Sequence, residues 1–477
     1  MWWKKPFYIT TTLPYSNAKP HIGFAMEIVR ADTVARYKRY LGYDVFFNTG
    51  TDEHGLKIYQ KAKEEGKEPQ QFLDEKVKDF EILKEKLNLS YDKFIRTTDK
   101  DHIVSAQKLW ELCDKNGYIY KKNYRGLYCV GCEMFMTEKD LVNGECPNHP
   151  GKKLVEIEEE NYFFKYSAFA KKLLDLYEKK TDFVIPISRL KEISNFVSGG
   201  LEDFSISRIK ERMPWGIAVP GDDKHVMYVW FDALANYIST LGWPESKNFK
   251  KYWVKGTPIQ YCGKDNLHFQ AARWQAMLMA ANLPSSSQII IDGFITSGGQ
   301  KMSKSIGNVI DPMEVVSEYG TDALRYFLLR ELSTFEDSDF TLEKFKEAYN
   351  ANLANGLGNL INRIMKMAED NLVKPISLKE VKFPKEYKKA FESFDLQKVT
   401  DYVFKKISEM DKSIQETEPF KLIKTDRKAA IKIIEDLVKK LREVAFLLRP
   451  LLPETAGQIL TAIADNKKPV KPIFERK

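Results

Sequence analysis

A chain of 477 residues exceeds what one hydrophobic core usually serves, so about two to four structural units are expected. Hydrophobic residues make up 43%, ample for burial, and 75 basic against 67 acidic side chains leave a net charge of +8, which favours a polyanionic partner only where the excess clusters. Without an apolar run near about 18 residues or a signal-peptide core at Met1-Trp2-Trp3-Lys4-Lys5-Pro6, a membrane protein is excluded and a cytoplasmic one expected; five cysteines are too few for a disulfide scaffold.

The first third alternates strand-like and helix-like stretches. "FYITTTLPY" reads as a strand, about Pro20 to Tyr40 as a helix, "YDVFFNTG" as a second strand, and a charged helical stretch starts at Leu56. Such alternation predicts an α/β parallel sheet. In "LPYSNAKPHIGF" Pro20 occupies the first helical turn, where a missing N–H costs nothing, and His21 and Gly23 fall where unpaired amides and the helix dipole attract negative charge. Phosphate is the natural guest; a capped helix with an incidental histidine is the bland alternative. Asp52 follows the second strand, at the carboxyl end where ligands bind in such sheets, and a carboxylate there suits an α-ammonium group.

Three of the five cysteines crowd into "CVGCEMFMTEKDLVNGECPNH". The spacing Cys129-x2-Cys132-x13-Cys146-x2-His149 joins two close pairs by a hairpin-length linker and fits a tetrahedral set of three sulfurs and one nitrogen for one structural Zn2+, all four positions filled by protein. Beyond it "HVMYVWFDAL", "TPIQYCGKDN" and "SSQIIIDGFITS" return to short buried strands, so the sheet resumes near 225. "GGQKMSKSIGN", residues 298–308, sets Lys301 and Lys304 among glycines with no acidic neighbour, a loop that expects an anion or else a solvated basic turn; glycines 298, 299 and 307 are expected to let it move. From about Asp311 the texture becomes helical: Leu353, Leu357, Leu360, Ile361, Ile364 and Met365, then Ile434, Leu437, Leu441, Val444 and Leu448, recur at helical spacing. The last dozen residues read as a frayed tail.

Taken together, "LPYSNAKPHIG", "TGTDEHG", "YCVGCE", "ENYFF", "YVWFDAL", "GKDN" and "DGFITSGGQKMSKSIGN" resemble, in order and spacing, the motifs of class I aminoacyl-tRNA synthetases, with the methionyl enzymes the nearest match. That resemblance implies a split Rossmann-like catalytic domain (1–115 and 221–308), an inserted connective domain with the zinc knuckle (116–220, knuckle about 125–155), a linking region (309–345) and a helical anticodon-binding domain (346–477). It implies activation of L-methionine by ATP, with Mg2+ accompanying the nucleotide, and transfer to a methionine tRNA, initiator or elongator. Lys301 and Lys304, with His21 and Gly23, would meet the ATP phosphates; Gly263 and Asp265 would hold the ribose. Asp52 and the carbonyl of Leu13 would take the ammonium group, while Tyr15, Trp230, Ala233, Leu234, Tyr237 and Gln270 would wall the thioether pocket, where polarizable sulfur meets ring edges favourably.

Departures from the family pattern fall at three of these positions. Phe24 stands where members usually carry a second signature histidine, Leu234 replaces a common proline, and Gln270 stands where many members place a histidine near the sulfur. In the helical domain Asn359 and Arg363 match residues that hydrogen-bond anticodon bases, and Phe420 matches a position usually held by a stacking tryptophan; a solvated polar stripe and a core plug are the alternatives. The insertion looks too short for a separate editing domain as well as a knuckle, and the absence of an appended RNA-binding β-domain points to a monomer. An RNA-binding module descended from a synthetase, or an adenylating enzyme that ignores RNA, would leave either the lysine loop or the helical domain without a use.

Overall fold

The computed structural model describes residues 4–129, 134–136, 141–147, 151–302, 309–373, 375 and 381–477. The chain divides into two compact units, one of residues 1–20, 42–83 and 91–291, the other of residues 21–41, 84–90 and 292–477.

The first unit is built on a six-stranded sheet of β1 (Pro6–Thr10), β2 (Asp44–Thr51), β3 (Lys93–Arg96), β4 (Val184–Ile185), β5 (Pro258–Gly263) and β6 (Gln288–Asp292). Their order is β3-β2-β1-β5-β6-β4, and β1 runs parallel to both neighbours, β2 to β3 and β6 to β4. Phe7, Tyr8, Ile9 and Thr10 are buried without alternation, as in a parallel strand enclosed on both faces. Successive strands step outward from β1 through β2 to β3; on the other side the chain forms first the edge strand β4 and later β5 beside β1. The gap between β1 and β5 is therefore the topological switch point, where α/β sheets open a crevice at the strands' carboxyl ends. Inserted between β3 and β5, a long antiparallel ribbon pairs Ile119–Cys129 with Val155–Phe164 and adds Met134–Met136 and Phe204–Ser205 at its edges.

Helix α1 (Ile22–Tyr40) follows β1 in sequence, yet it belongs to the second unit. Fourteen of its nineteen residues are buried, charges included, and only its last turns show polar side chains to solvent. Its buried Arg30 donates to Asp292 (3.1 Å) and to the carbonyls of Leu328, Leu332, Ser333 and Thr334; its Asp32 pairs with buried Arg325 at 2.9 Å and accepts from Ser90. Removing one member of such a pair leaves a buried charge uncompensated, at about 3–5 kcal/mol. The helical region expected at the C-terminal end is present, with α2 (Asn359–Asn371), α3 (Lys385–Glu392), α4 (Leu396–Thr417), α5 (Pro419–Leu422), α6 (Arg427–Leu448) and α7 (Pro453–Asp465).

The expected frayed tail is docked instead. Phe474 is buried with its ring 6.1 Å from that of Tyr349, the Tyr349 hydroxyl donates to the Glu475 carbonyl (2.7 Å), and Asn350 exchanges two hydrogen bonds with Lys477. Lysine and proline content hid one aromatic anchor.

Candidate active site

Within the first unit, the carboxyl ends of β1 and β2 are tied together beyond the sheet. The Asp52 amide donates to the Pro14 carbonyl at 2.9 Å and the Ser16 amide to the Asp52 carbonyl at 3.2 Å, so Tyr15 and Asp52 lie opposite each other as a parallel bridge. Asp52 is buried; Leu13 and Tyr15 are half-buried, with the Lys57 ammonium 5.5 Å from the Tyr15 ring. On the other side of β1, Gly263 ends β5 and Asp265 sits exposed in the following turn, Lys264–Asn266, accepting from the side-chain Nδ2 of Asn266 at 3.1 Å. Five positions singled out by sequence, Leu13, Tyr15, Asp52, Gly263 and Asp265, thus fall at or beyond the ends of adjacent parallel strands.

The segment "YVWFDAL" forms a short helix, Val229–Leu234, continued by Asn236–Ser239. Trp230 stacks on Phe269 with centroids 3.7 Å apart and planes 10° apart, and its indole N–H is buried with no hydrogen-bond partner among the described residues. Leu234 and Tyr237 are buried and Ala233 is half-buried. Gln270, also buried, does not stand alone. Its Nε2 donates to the Tyr237 hydroxyl (2.5 Å) and its Oε1 accepts from Gln260 Nε2 (2.6 Å); Gln260 in turn accepts from the Ser286 hydroxyl, and Gln275 bridges Ser286 and the Gln270 carbonyl. Every donor in this chain points towards Tyr237, an arrangement in which successive hydrogen bonds polarise one another.

A second buried network adjoins it in sequence. Asp232 takes His54 Nδ1 at 2.7 Å on one oxygen and His102 Nε2 at 2.8 Å on the other, and His102 Nδ1 meets the Ser239 hydroxyl at 2.9 Å. Burial alone would raise the Asp232 carboxyl, but interaction with His54 and hydrogen bonds from both histidines outweigh it and hold the group below its ordinary value. Asp232 and His54 stand inside "YVWFDAL" and "TGTDEHG", but their pairing across the chain leaves no mark in local spacing. Gln260, Gln275 and Ser286 carried no sequence signal at all.

In the second unit, His21 is the N-cap of α1: its Nδ1 accepts the Gly23 amide at 3.1 Å. A Cβ at Gly23 would lie 2.9 Å from the His21 ring, so the cap requires glycine. An Nδ1 that accepts leaves the neutral ring protonated on Nε2, a donor suited to an anion. The Ile22 amide donates to the Ile310 carbonyl (3.2 Å), which brings the segment after the lysine loop beside the start of α1. Phe24 is buried and belongs to the core. Lys304 and Gly307 lie outside the described residues, as does the side chain of Lys301, whose backbone pairs with Thr296. Gly298 and Gly299 were expected to give mobility, but they form the tight turn of the hairpin Ile295–Ser297 and Gln300–Lys301, both with positive φ (61° and 73°). Asp339 clamps that turn, accepting from the Gly299 amide at 2.9 Å and from Thr296, and the Gly299 bond first and the Lys344 bond next hold its carboxyl below the ordinary value.

Of the metal-spaced set, Cys129 and Cys146 are buried together, packed with Met136, Leu141 and Leu154. Cys132 and His149 lie outside the described residues, and among those described no group of three or more His, Cys, Asp or Glu side chains is placed to hold a metal ion. Asn359 is exposed at the start of α2, and Arg363, one turn on, pairs with Asp411 at 2.6 Å, whose other oxygen accepts from Gln415 at 2.7 Å. Phe420 is 47% exposed, which disposes of the core plug. No described helix is long and apolar enough to cross a membrane.

Comparison with known proteins bears on these residues as a set. The family model for "tRNA synthetases class I (M)" matches residues 7–154 and 149–365. The methionine-tRNA ligase of Caldanaerobacter subterraneus subsp. tengcongensis is 42% identical over 95% of this chain and 73% of its own length, and that of Brucella suis 40% identical over 97% and 92%. A Mycobacterium tuberculosis methionyl-tRNA synthetase in complex with methionyl-adenylate superposes with a TM-score of 0.88 at 37% identity, covering 96% of this chain and 93% of that one.

Proposed function

Because this chain belongs to the methionine-tRNA ligases of the class I aminoacyl-tRNA synthetases, we propose a division of labour among its own residues for the family's reaction. That reaction activates L-methionine with ATP to methionyl-adenylate and pyrophosphate, then transfers methionine to the 3′-terminal ribose of its tRNA.

Asp52 and the Leu13 carbonyl bind the α-ammonium group; Tyr15, Trp230, Ala233, Leu234 and Tyr237 wall the thioether. The single observation that carries this assignment is the bridge that holds Asp52 against Tyr15 at the carboxyl ends of β1 and β2. A carboxylate held there is the complementary charge for an ammonium group. Gln270 acts on the sulfur side through Tyr237: a hydroxyl that accepts from Gln270 donates its own proton in another direction, and a thioether is a weak acceptor. Gly263 and Asp265 serve the ATP ribose.

In the activating step the methionine carboxylate attacks the α-phosphorus, and the bond to pyrophosphate breaks. Negative charge moves onto the leaving group, and fixed donors that strengthen their hold at that moment lower the barrier. His21, Gly23, Lys301 and Lys304 fill this role; since the Gly23 amide is committed to His21, glycine contributes by shaping the cap and His21 by its Nε2 proton. Mg2+ comes with the nucleotide. No side chain acts as a nucleophile, so positioning and charge carry the rate.

Cys129, Cys132, Cys146 and His149 hold one structural Zn2+, a reading supported by Cys129 and Cys146 being buried together in one small satellite core. Asn359, Arg363 and Phe420 read the anticodon, the exposed ring offering a stacking face and Asp411 presetting the guanidinium. The enzyme works as a cytoplasmic monomer.

Asp52→Asn tests the assignment: methionine-dependent exchange of pyrophosphate into ATP should require at least about tenfold more methionine, the loss of one charge-assisted contact of about 1.5–3 kcal/mol, with the KM for ATP nearly unchanged. An unaltered methionine KM would remove Asp52 from the pocket.

A further inference from the structure

The second unit carries a cavity of about 470 Å3 that none of the residues assigned above lines. Its walls come from the end of α1 (Tyr40, Leu41), the approach to and body of α3 (Lys382, Phe383, Lys388), the end of α6 (Arg442, Phe446, Arg449) and Leu460 of α7. The floor is aromatic: buried Phe383 lies 4.6 Å from Phe446 and 5.3 Å from Tyr387, centroid to centroid. The rim is cationic. Four Lys and Arg side chains line the space and no carboxylate does.

Elsewhere on α6 the pattern is different: Lys439 pairs with Glu435 and Lys440 with Asp436, each one turn away. Lys382, Lys388 and Arg449 have no ion-pair partner among the described residues. Arg449 instead lies 5.7 Å from the ring of Tyr40 and 5.3 Å from that of Phe446, and Tyr40 is 44% exposed. The like charges of Lys382, Lys388 and Arg449 repel one another, so an anion placed among them is stabilising. Cations beside an exposed aromatic face suit one anion in particular, a nucleotide within a nucleic-acid strand, with phosphate on the cations and ribose or base on the ring. The volume lies in the range for a ligand of that size.

We propose that this cavity is a second tRNA contact, holding a backbone phosphate between Lys382, Lys388 and Arg449 with the adjoining nucleoside against Tyr40, and reading no sequence. The proposal rests on tRNA being the substrate, which the experiment checks separately. Full-length chain is titrated with fluorescently labelled methionine tRNA, and with an anticodon-altered version, across a series of NaCl concentrations. Lys382→Ala with Lys388→Ala should weaken both tRNAs alike, about tenfold, and should reduce the slope of log Kd against log salt by about one per side chain removed. Tyr40→Ala should weaken binding by about the same factor with the slope unchanged, because stacking releases no counterions. Pyrophosphate exchange without tRNA should stay at the wild-type rate in all variants, showing that they fold. A wild-type slope in the double lysine variant overturns the proposal, and so does a loss confined to the cognate tRNA. Displacement of free AMP from the cavity with tRNA affinity intact would make it a mononucleotide pocket and overturn it as well. Failure of the wild-type chain to bind tRNA would overturn the premise itself, a different result from variants that bind like wild type.

Discussion

Replacing Gln270 by Leu tests whether the buried amide chain works as one device. Gln260, Gln270, Gln275, Ser286 and Tyr237 are all at most 2% exposed, so no water replaces a lost partner. Gln270→Leu strands the Gln260 Nε2 donor, which now bonds Gln270 at 2.6 Å, and takes the Gln270 donor away from Tyr237. Gln260→Leu strands Gln270 Oε1 and the Ser286 hydroxyl. Each stranded buried group costs about 1–3 kcal/mol. The double variant removes both ends of the shared bond together, so it should cost less than the two singles combined, by about 1–3 kcal/mol, the scale on which contacting residues couple. The assay is kcat/KM for methionine in pyrophosphate exchange, read as free energy for each corner of the cycle. KM for methionine should rise about tenfold in Gln270→Leu while KM for ATP holds. Additivity within about 0.5 kcal/mol, or equal movement of both KM values, would refute the account of Gln270 as the residue that orients Tyr237.

Three further expectations concern other parts of the molecule. Burial pushes the Asp322 carboxyl up to about 6, from an ordinary 3.8, and Asp292 likewise to about 6. The native state therefore holds protons that the unfolded state has lost, and stability should fall as pH rises from about 4 to about 6, by up to roughly 3 kcal/mol per group, and then level off; Asp322→Asn, which keeps the acceptor for the Thr455 amide, should about halve that fall in denaturation midpoints against pH. Protein purified without chelator should contain about one equivalent of zinc, and chelation should loosen the inserted ribbon before the parallel sheet in hydrogen exchange; less than about a tenth of an equivalent would contradict the site of three cysteines and one histidine. Phe420→Ala and Arg363→Ala should each slow tRNA charging, the stacking loss being about 1–3 kcal/mol, with methionine activation unchanged, and Asp411→Ala should narrow the preference for the cognate anticodon; unchanged discrimination in all three would show that this face does not read it.

Periodicity and punctuation made the parallel sheet and the helical C-terminal region legible. "FYIT" and "QIII" are apolar runs because both faces of those strands are covered, and Pro20 marks the start of a helix to within two residues. Long-range pairing was not legible. Arg30 and Asp32 read as ordinary helix charges, yet both are buried with partners some 260 to 300 residues away, and they draw α1 into the second unit. The same limit hid Asp232 between two histidines and the three side chains behind Gln270, because hydrogen bonds across a fold leave no spacing to read. Glycines misled in a different way: the freedom expected of Gly298 and Gly299 is used for a turn that only positive φ allows, and Asp339, 40 residues on, then fixes it.

The central claim is most directly tested by the lysine loop under single-turnover conditions. Wild-type chain with ATP and L-methionine should form methionyl-adenylate without tRNA and charge methionine tRNA when it is added, and Lys304→Ala should slow adenylate formation by a barrier of about 3–4 kcal/mol, one lost charge-stabilising contact, with methionine affinity nearly intact. Adenylate formation at the wild-type rate in Lys304→Ala, or activation of an amino acid other than methionine in preference to it, would contradict the account.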